Sequence, residues 1–264
     1  MQWSEVTDKD KIYQVYTKVI QKRNPYSNCY FSPKQMIEWI NKDYISFYVS
    51  EEDNFFIILP KCGYKKLLFN ASNFDWVDGL KQIKTNDENI VVEIVSKEEL
   101  NPYGLKEILP YSRIKQYARY RRLNVYELTS EYPEIQYCEL EDIPAISLMF
   151  QSTFEAIGDD LPSIEEIKMF ITDKSIICIK EEGKLEGYIM FQNKGKTSYI
   201  RNICVSEDAR GKGIGSKLLD MYLRLHRDFI SFTLWCRKDN IPAIKLYEKY
   251  GYVNENMHNT LYIC

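Results

Sequence analysis

The sequence has little of what marks several classes of protein. Its seven cysteines stand singly with no Cys-x-x-Cys pair, and its two histidines give no zinc-ligand spacing, so we expect no metal site. The net charge of −3 gives no reason to expect nucleic-acid binding. No apolar run approaches the ~20 residues that span a membrane, and the first residues lack the basic-then-apolar order of a signal peptide. We therefore expect a cytoplasmic protein with reduced thiols and no nucleic-acid or membrane partner.

The length and composition fit two globular domains. A chain of 264 residues is long for one α/β domain and comfortable for two, and 45% hydrophobic with 28% charged residues is the usual balance of a globular protein. The segment Glu127–Glu134 is polar, contains Pro133, and precedes a new strand-then-helix pattern. It predicts a boundary between a domain over residues 1–130 and a second domain over residues 131–264.

The first half shows helical patterns followed by strand-like runs. An apolar stripe over Ile12–Ile20 predicts one helix, and Ser32-Pro33 opens a second. A later helix is predicted over Ser112–Arg122. The predicted strands are Ile45–Val49, Phe55–Leu59, Tyr64–Asn70 and Ile90–Val95.

The second half repeats this order with clearer signals. Ser163 with Glu166 forms a capping box, and Glu182-Gly183 is the turn of a hairpin. The predicted helices are Glu141–Phe154, Ser163–Ile171, Gly213–Arg227 and Ile241–Tyr250. The predicted strands are Ile135–Cys138, Ile176–Lys180, Leu185–Gln192, Ser198–Val205, Ile230–Cys236, Tyr252–Met257 and Thr260–Ile263. The shared order favours a tandem duplication of one mixed α/β (α+β) fold.

A glycine-rich loop joins an apolar strand to an amphipathic helix. Its sequence is Ile203-Cys204-Val205-Ser206-Glu207-Asp208-Ala209-Arg210-Gly211-Lys212-Gly213-Ile214-Gly215-Ser216. Glycine permits positive φ and close approach of a ligand, and the N–H groups of a helix start bind anions. The spacing fits neither the dinucleotide pattern G-x-G-x-x-G nor the G-K-[ST] ending of a P-loop. By itself the loop predicts either a phosphate-binding turn or a plain strand-to-helix connection.

A second motif follows at Trp235-Cys236-Arg237-Lys238-Asp239-Asn240-Ile241-Pro242-Ala243-Ile244-Lys245-Leu246-Tyr247-Glu248-Lys249-Tyr250-Gly251-Tyr252. With it, the second half resembles the GNAT acetyltransferase superfamily. Arg210-x-x-Gly213-x-Gly215 is similar to the R/Q-x-x-G-x-G/A pyrophosphate loop of that family, and Asn240–Tyr252 is similar to its N-x-x-A-x-x-L-Y-E-x-x-G-F/Y segment. The resemblance implies a GNAT-type mixed central sheet flanked by helices, with acetyl-CoA as cofactor.

The resemblance also implies the cofactor contacts. The backbone of Ile203 and Val205 would bind the pantetheine arm, whereas the Cys204 side chain is interpreted as packing rather than as a nucleophile. The loop would hold the pyrophosphate, with Arg210 and Lys212 adding positive charge. The residues implied to contact the cofactor are Ile203, Cys204, Val205, Arg210, Gly211, Lys212, Gly213, Ile214, Gly215, Ser216, Asn240, Ala243, Tyr247 and Tyr250.

N-acylation requires a neutral amine and a proton for the departing thiolate. Tyr247, whose type has a reference pKa near 10, is predicted to be the catalytic acid, although by position alone it would be a core aromatic. The base is unassigned. The strand Leu234–Arg237 resembles that of the acetyltransferases of ribosomal-protein N-termini, which carry a glutamate where Trp235 stands here.

The predicted acceptor contacts lie in two places. Glu155, Asp159 and Asp160, in the loop after the first helix of the second half, would attract a cationic amine, relay a proton, or serve only as a solvated turn. Tyr199, Asn202 and Trp235 are predicted contacts on the central strands.

These motifs predict an acetyl-CoA-dependent N-acetyltransferase, monomeric or homodimeric, that acts on a primary amine by direct attack in a ternary complex. A small-molecule amine is favoured over a peptide amine because the extra domain can enclose a small acceptor. The first half has no glycine loop and is predicted to be a degenerate GNAT-like copy that has lost CoA binding. The alternatives are an N-terminal or lysine protein acetyltransferase, and a non-catalytic acyl-CoA sensor, against which Tyr247 argues.

Overall fold

The computed structural model describes residues 2–21, 26–29, 31–50, 54–61, 63–72, 90–97, 113–123, 132–157, 159 and 161–263. The chain forms two compact units. The first comprises residues 1–115 and 258–264, and the second comprises residues 116–257. Among the helices described, none has the length and apolar character needed to cross a membrane.

The first unit is a mixed sheet with helices α1 (Lys9–Ile20) and α2 (Pro33–Asn41). Helix α1 begins where the Asp8 side chain accepts from the Lys11 N–H, and α2 begins at a capping box between Ser32 and Gln35. The strands are β1 (Trp3–Val6), β2 (Tyr26–Ser27), β3 (Ser46–Ser50), β4 (Phe55–Lys61), β5 (Tyr64–Ala71) and β6 (Ile90–Ser96). Their order is β1-β3-β4-β5-β6, with β2 on β5, and the β5–β6 pair is parallel. The two predicted helices and β3 to β6 are thus confirmed with small differences at their ends, whereas β1 and β2 were not predicted.

The second unit is also a mixed sheet, with helices on both faces. The helices are α3 (Ile143–Thr153), α4 (Ile164–Thr172), α5 (Ile214–Leu225) and α6 (Ile241–Lys249). The strands are β7 (Arg113–Leu123), β8 (Ile135–Tyr137), β9 (Ile176–Glu181), β10 (Lys184–Lys194), β11 (Thr197–Val205), β12 (Ser231–Arg237) and β13 (Val253–Ile263). Their order is β13-β7-β12-β11-β10-β9-β8, and the β11–β12 pair is parallel. The capping box of Ser163 and Glu166 and the Glu182-Gly183 turn are confirmed.

Two cores lie on the two faces of this second sheet. On one face, Leu218 of α5 and Tyr247 of α6 pack in a cluster with Phe232 of β12. On the other face, Ile146 of α3 packs in a cluster with Tyr188 of β10. Side chains alternate between the faces along each strand, so the burial of one residue assigns the face of its neighbours.

Strand β7 corrects the prediction of a helix over Ser112–Arg122. Its residues pair antiparallel with β12 from Tyr117, opposite Arg237, to Leu123, opposite Ser231. Ala118 and Tyr120 are buried on the α5 face, whereas Arg119 alternates with them. This period of two is the strand pattern, and the Arg- and Tyr-rich composition concealed it.

Strand β13 contributes to both units. The sequence predicted two strands, Tyr252–Met257 and Thr260–Ile263, and the structure has one. Its last residues, His258–Ile263, pair antiparallel with β6 of the first unit. Most of β7 therefore belongs to the second unit, and the end of β13 belongs to the first. The two compact units thus differ from a division of the chain between residues 130 and 131. That division stays a prediction of domain organisation.

A buried hydrogen-bond chain fixes α5 on its sheet. The Tyr222 hydroxyl donates to Ser198 Oγ at 2.6 Å, which donates to Asn193 Oδ1 at 2.6 Å. The Asn193 amide lies 3.3 Å from Nε2 of His226, and Nδ1 of His226 lies 2.8 Å from the Tyr222 carbonyl oxygen. If the Asn193 amide donates to Nε2 of His226, then Nδ1 carries the ring proton and donates it to the Tyr222 carbonyl oxygen. This arrangement makes His226 neutral.

We expect His226 to account for part of the loss of stability in acid. Burial lowers the pKa of His226 in the folded protein, whereas in the unfolded chain it titrates near 6.5. As the pH falls, the unfolded state binds the proton first, so the stabilisation is complete above about pH 6.5 and is lost below it, by at most ~1.4 kcal/mol per pH unit. Chemical denaturation between about pH 5 and 7.5 should show a steeper loss for wild type than for His226→Asn. Equal pH slopes in the two proteins would contradict this assignment.

Candidate active site

The two parallel strands β11 and β12 diverge in the middle of the second unit. They pair over Thr197–Ile200 and Ser231–Leu234, and within the described residues the pairing ends there, although both strands continue. Beside this point the register between β10 and β11 shifts, which leaves Arg201 as the extra residue of a bulge. Bulges bend a strand and increase its twist, so this one favours the divergence. The edge of Ile203–Val205 that faces β12 is therefore open to a ligand.

The glycine loop begins where β11 ends. Gly211 and Gly213 both have φ of 80°, and Gly213 is the N-cap of α5. In the part of the chain that the structure describes, the backbone N–H groups of Gly211, Gly213, Gly215 and Ser216 have no hydrogen-bond acceptor. Partnerless N–H groups at a helix start, together with the helix dipole, attract an anion. The geometry thus favours the phosphate-binding interpretation over a plain connection.

Basic side chains border the loop. Arg210 and Lys212 are exposed, and the Lys212 ammonium lies 3.9 Å from a Glu181 carboxylate oxygen. At this exposure the Lys212 pair contributes little and can exchange for a phosphate. The loop therefore combines backbone donors with two exposed cations.

Gly187 on β10 allows α5 to approach the sheet closely. A methyl group at this position would lie 2.9 Å from Cγ2 of Ile214 and 3.0 Å from the Cys204 carbonyl oxygen. Both distances are shorter than normal van der Waals contact, and one partner is backbone. The start of α5, and with it the glycine loop, is positioned by the absence of a side chain here.

Gly187→Ala is expected to lower the free energy of unfolding by about 1–3 kcal/mol, because it overpacks the contact between β10 and α5. The same shift of α5 should weaken, severalfold, the CoA binding that the sequence predicts. Denaturant unfolding and calorimetric titration measure the two effects. Gly195→Ala serves as a control for backbone strain without overpacking, since Gly195 has φ of 59° and a methyl group there would meet nothing within 4 Å; it should leave CoA binding unchanged. Unchanged stability in Gly187→Ala would contradict the tight packing.

Helix α6 is tied to the start of α5. The Asn240 side chain accepts from the Ala243 N–H at 3.2 Å and so caps α6, and the Tyr250 hydroxyl donates to the Ser216 carbonyl at 2.9 Å. Asn240, Ala243 and Tyr250 were predicted to contact the cofactor. The structure gives them contacts that hold α6 beside the loop, and their contact with a cofactor stays a prediction.

Tyr247 lies on the buried face of α6. It is 7% exposed, and its ring centroid is 5.8 Å from that of Tyr252. Burial, and secondarily the Cys236 thiol, raises the pKa of Tyr247 well above its usual range. Cys236 belongs to the part of β12 that has diverged from β11. The phenol is therefore protonated near this divergence at any physiological pH.

The central strands present polar and aromatic residues on the face opposite Tyr247. Trp235 is 39% exposed at the first position of β12 beyond the β11 pairing. Tyr199 pairs with Thr233, so it shares the face of Trp235. Asn202 is partly exposed, whereas Cys204 is buried and donates to Thr153 Oγ1 at 3.2 Å. The predicted acceptor residues of the strands thus share one face, and Cys204 packs as expected.

The acidic loop after α3 is held by ion pairs and hydrogen bonds. Asp159 accepts from the Tyr117 hydroxyl and from the Glu155 N–H. The Glu155 carboxylate lies 3.1 Å from Arg237, whose guanidinium also donates twice to Asp239, at 3.0 and 2.7 Å. Burial and the bond to Asp159 raise the pKa of Tyr117, and the bonds to Asp239 and Glu155 raise the pKa of Arg237.

Two members of this network were not predicted. Because Tyr117 was predicted to lie in a helix, its pairing with β12 was not anticipated. Arg237 had one usable signal, since it ends a strand and is followed by Asp239. The predicted acceptor residue Asp160 lies outside the described residues.

A second cluster of possible ligands lies away from the diverging strands. One ligand atom from each of Cys138, Asp142 and Cys178 lies within 4.8 Å of the others, and all three residues are buried. Both Asp142 oxygens already have partners, the Lys180 ammonium at 2.7 Å and the Glu139 N–H at 2.8 Å. A cation would have to displace the lysine, so we interpret the cluster as part of the core.

The comparisons with known proteins agree with this geometry. The model of the Acetyltransferase (GNAT) family matches residues 143–252. Among curated proteins, none matches the chain. A tandem GNAT protein from the clavulanic acid biosynthesis pathway is similar in structure, with a TM-score of 0.64, 11% identity, and coverage of 100% of this chain and 98% of that one.

Two further solved structures also match nearly the whole chain. The GCN5-related N-acetyltransferase from Sphaerobacter thermophilus has a TM-score of 0.63 and 12% identity, and the match covers 99% of this chain and 95% of that one. The GNAT-family acetyltransferase from Colwellia psychrerythraea has a TM-score of 0.61 and 14% identity, with 100% and 99% coverage. At these identities the likeness shows the fold, and it supports a tandem arrangement of two GNAT-like units.

Proposed function

Because the model of the Acetyltransferase (GNAT) family matches residues 143–252, we propose that this protein is an N-acetyltransferase that uses acetyl-CoA to acylate a primary amine. The observation that carries the proposal is the divergence of β11 from β12 directly before a helix start whose N–H groups have no acceptor. The first feature suits an extended amide-containing arm, and the second suits a pyrophosphate. Because the two features follow one another along β11 and the glycine loop, they suit the pantetheine arm and the pyrophosphate of one CoA molecule.

The chain offers matching groups for the pantetheine arm and the pyrophosphate of CoA. The backbone of Ile203 and Val205 would pair with the pantetheine arm, and the N–H groups of Gly211–Ser216 would receive the pyrophosphate, with Arg210 and Lys212 outside them. When bound, the thioester supplies an activated acyl carbon and a thiolate leaving group. We assign the Val205 N–H to the developing oxyanion, because it ends the open edge of β11.

Tyr247 would donate a hydrogen bond to the departing sulfur. Its raised pKa makes complete proton transfer to a thiolate of ordinary basicity unfavourable, so its main contribution is a hydrogen bond that strengthens as charge develops on sulfur. The amine loses one proton as its nitrogen bonds to the acyl carbon. Glu155 and Asp159 already have cationic or hydroxyl partners, so we propose that water carries this proton to solvent. The carbon–sulfur bond breaks, and the released thiolate takes up a proton from solvent.

The acceptor is proposed to be a primary amine on the face that carries Trp235 and Tyr199. The exposed indole can cover the apolar stem of an amine, and the carboxylates of the α3–α4 loop favour a cation nearby. A small-molecule amine remains the preferred acceptor, with a peptide N-terminus or lysine as the alternative.

Thiol release from acetyl-CoA tests the proposal. The assay uses a panel of diamines, amino-acid amides and short peptides, with calorimetric CoA titration in parallel. We expect CoA binding and turnover with at least one amine, fastest among the small molecules. Turnover with peptides alone would favour the protein acetyltransferase. Firm CoA binding without turnover across the panel would favour the acyl-CoA sensor and contradict the proposed reaction.

A further inference from the structure

The first unit contains a pair of parallel strands that diverge in the same way as β11 and β12. Strands β5 and β6 pair over Lys65–Leu67 and Ile90–Val92, and within the described residues their mutual pairing ends there. Both continue, β5 to Ala71 and β6 to Ser96. The first unit therefore has its own gap between diverging strands, at the position that the second unit is proposed to use for CoA.

The side chain of Asn28 spans this gap. Its amide nitrogen donates to the carbonyl oxygen of Leu67 on β5 and to that of Glu93 on β6, both at 2.9 Å. Its amide oxygen accepts from the Phe69 N–H at 2.6 Å. Asn28 is 2% exposed, so one buried side chain satisfies backbone groups of both strands beyond the point where they separate.

The neighbours of Asn28 follow the same edge of β5. Tyr26 and Ser27 form strand β2, which pairs antiparallel with Ala71 and Asn70. The Asn28 N–H donates to the Phe69 carbonyl at 3.1 Å. The opposite edge of β5 pairs with β4 from Tyr64 to Asn70, so residues 26–29 lie on the edge that faces β6. The chain thus closes the gap of its own first unit.

We propose that residues 26–29 occupy the place of a pantetheine arm in the first unit, so that each chain binds one CoA, in the second unit. The Asn28 side chain places an amide N–H donor and a carbonyl acceptor between parallel strands, and each secondary amide of a pantetheine arm carries these same two kinds of group. The first half also lacks the glycine loop, since Gly63, Gly79 and Gly104 are isolated. The proposal rests on the proposed function for the location of the single CoA, while the closure of the gap stands on the Asn28 contacts.

Among the residues that the structure describes, the second unit has no counterpart of the Asn28 side chain between its diverging strands. No described side chain hydrogen-bonds to the backbone of Ile203 or Val205 from the β12 side, whereas in the first unit the equivalent edge is taken by protein groups. A ligand entering the first gap would have to break these buried hydrogen bonds. Buried polar groups left without partners are costly, so the closed form excludes CoA.

Titration of the wild-type chain with CoA gives the first test, and it needs no variant. We expect one CoA per chain by calorimetry, with slower hydrogen exchange over residues 197–216 and unchanged exchange over residues 65–71 and 90–96. Two CoA molecules per chain, or protection of residues 65–71 by CoA, would overturn the proposal.

Asn28→Ala gives the second test. We expect peptides covering Phe69 to exchange at least tenfold faster, because the Phe69 N–H loses its acceptor, while β4 peptides exchange as in wild type. CoA stoichiometry and affinity should be unchanged. Unchanged exchange at Phe69 would overturn the closure of the gap. A wild-type chain that binds no CoA would contradict the proposed function, yet the Phe69 exchange would still decide the role of Asn28.

Discussion

Replacing Gly213 with alanine is expected to raise the Kd for CoA roughly 100-fold with a small loss of stability. Gly213 has φ of 80° and caps α5, and an alanine there is strained by about 1–2 kcal/mol. Relief of that strain turns the N–H groups of the loop away from their common direction. Losing one or two hydrogen bonds to a charged phosphate, at about 1.5–3 kcal/mol each, accounts for the expected factor.

The control for this variant is Gly183→Ala. Gly183 has φ of 81°, and an added methyl group would meet nothing within 4 Å at either glycine. The two substitutions therefore impose the same backbone strain, one in the loop and one in the β9–β10 hairpin turn. Calorimetric titration should show a weakened Kd in Gly213→Ala and an unchanged Kd in Gly183→Ala. Equal losses in both variants would mean that general destabilisation, and not the loop, weakens binding.

The parts of the fold that could be predicted are those fixed by local chemistry. The capping box at Ser163 and the Glu182-Gly183 turn each follow from a few adjacent residues, and the structure has both. The glycine loop and the α6 segment were identified in the same way. Their geometry could be anticipated because glycine, proline and capping residues restrict the backbone wherever they occur.

The parts that could not be predicted depend on distant partners. Strand β7 carries a period of two over a few residues, and its strand identity comes from β12, more than 100 positions later in the chain. The end of β13 pairs with β6 for the same non-local reason. Tyr117 and its bond to Asp159 were missed with β7. The contacts of Asn28 with β5 and β6 could not be predicted from the sequence, because a single asparagine in a polar segment is common.

Tyr247→Phe is expected to lower kcat by about 10²- to 10⁴-fold while leaving the Kd for CoA within about twofold of wild type. The substitution removes one hydroxyl from a side chain that stays buried, so packing is retained. What is lost is the hydrogen bond to sulfur, which matters as negative charge develops there. An interaction made in the transition state changes kcat and leaves binding in the ground state almost unchanged.

The neighbouring Tyr252 provides a matched control for that effect. Its ring packs against Tyr247, and its buried hydroxyl has no hydrogen-bond partner among the described residues. Tyr252→Phe should leave kcat unchanged and the free energy of unfolding equal or higher by about 1 kcal/mol, since it removes an unsatisfied polar group. Because burial raises the pKa of Tyr247, the wild-type rate should also show no loss from tyrosine ionisation below about pH 10. Full activity in Tyr247→Phe would remove Tyr247 from the reaction and leave the sulfur to be protonated by water.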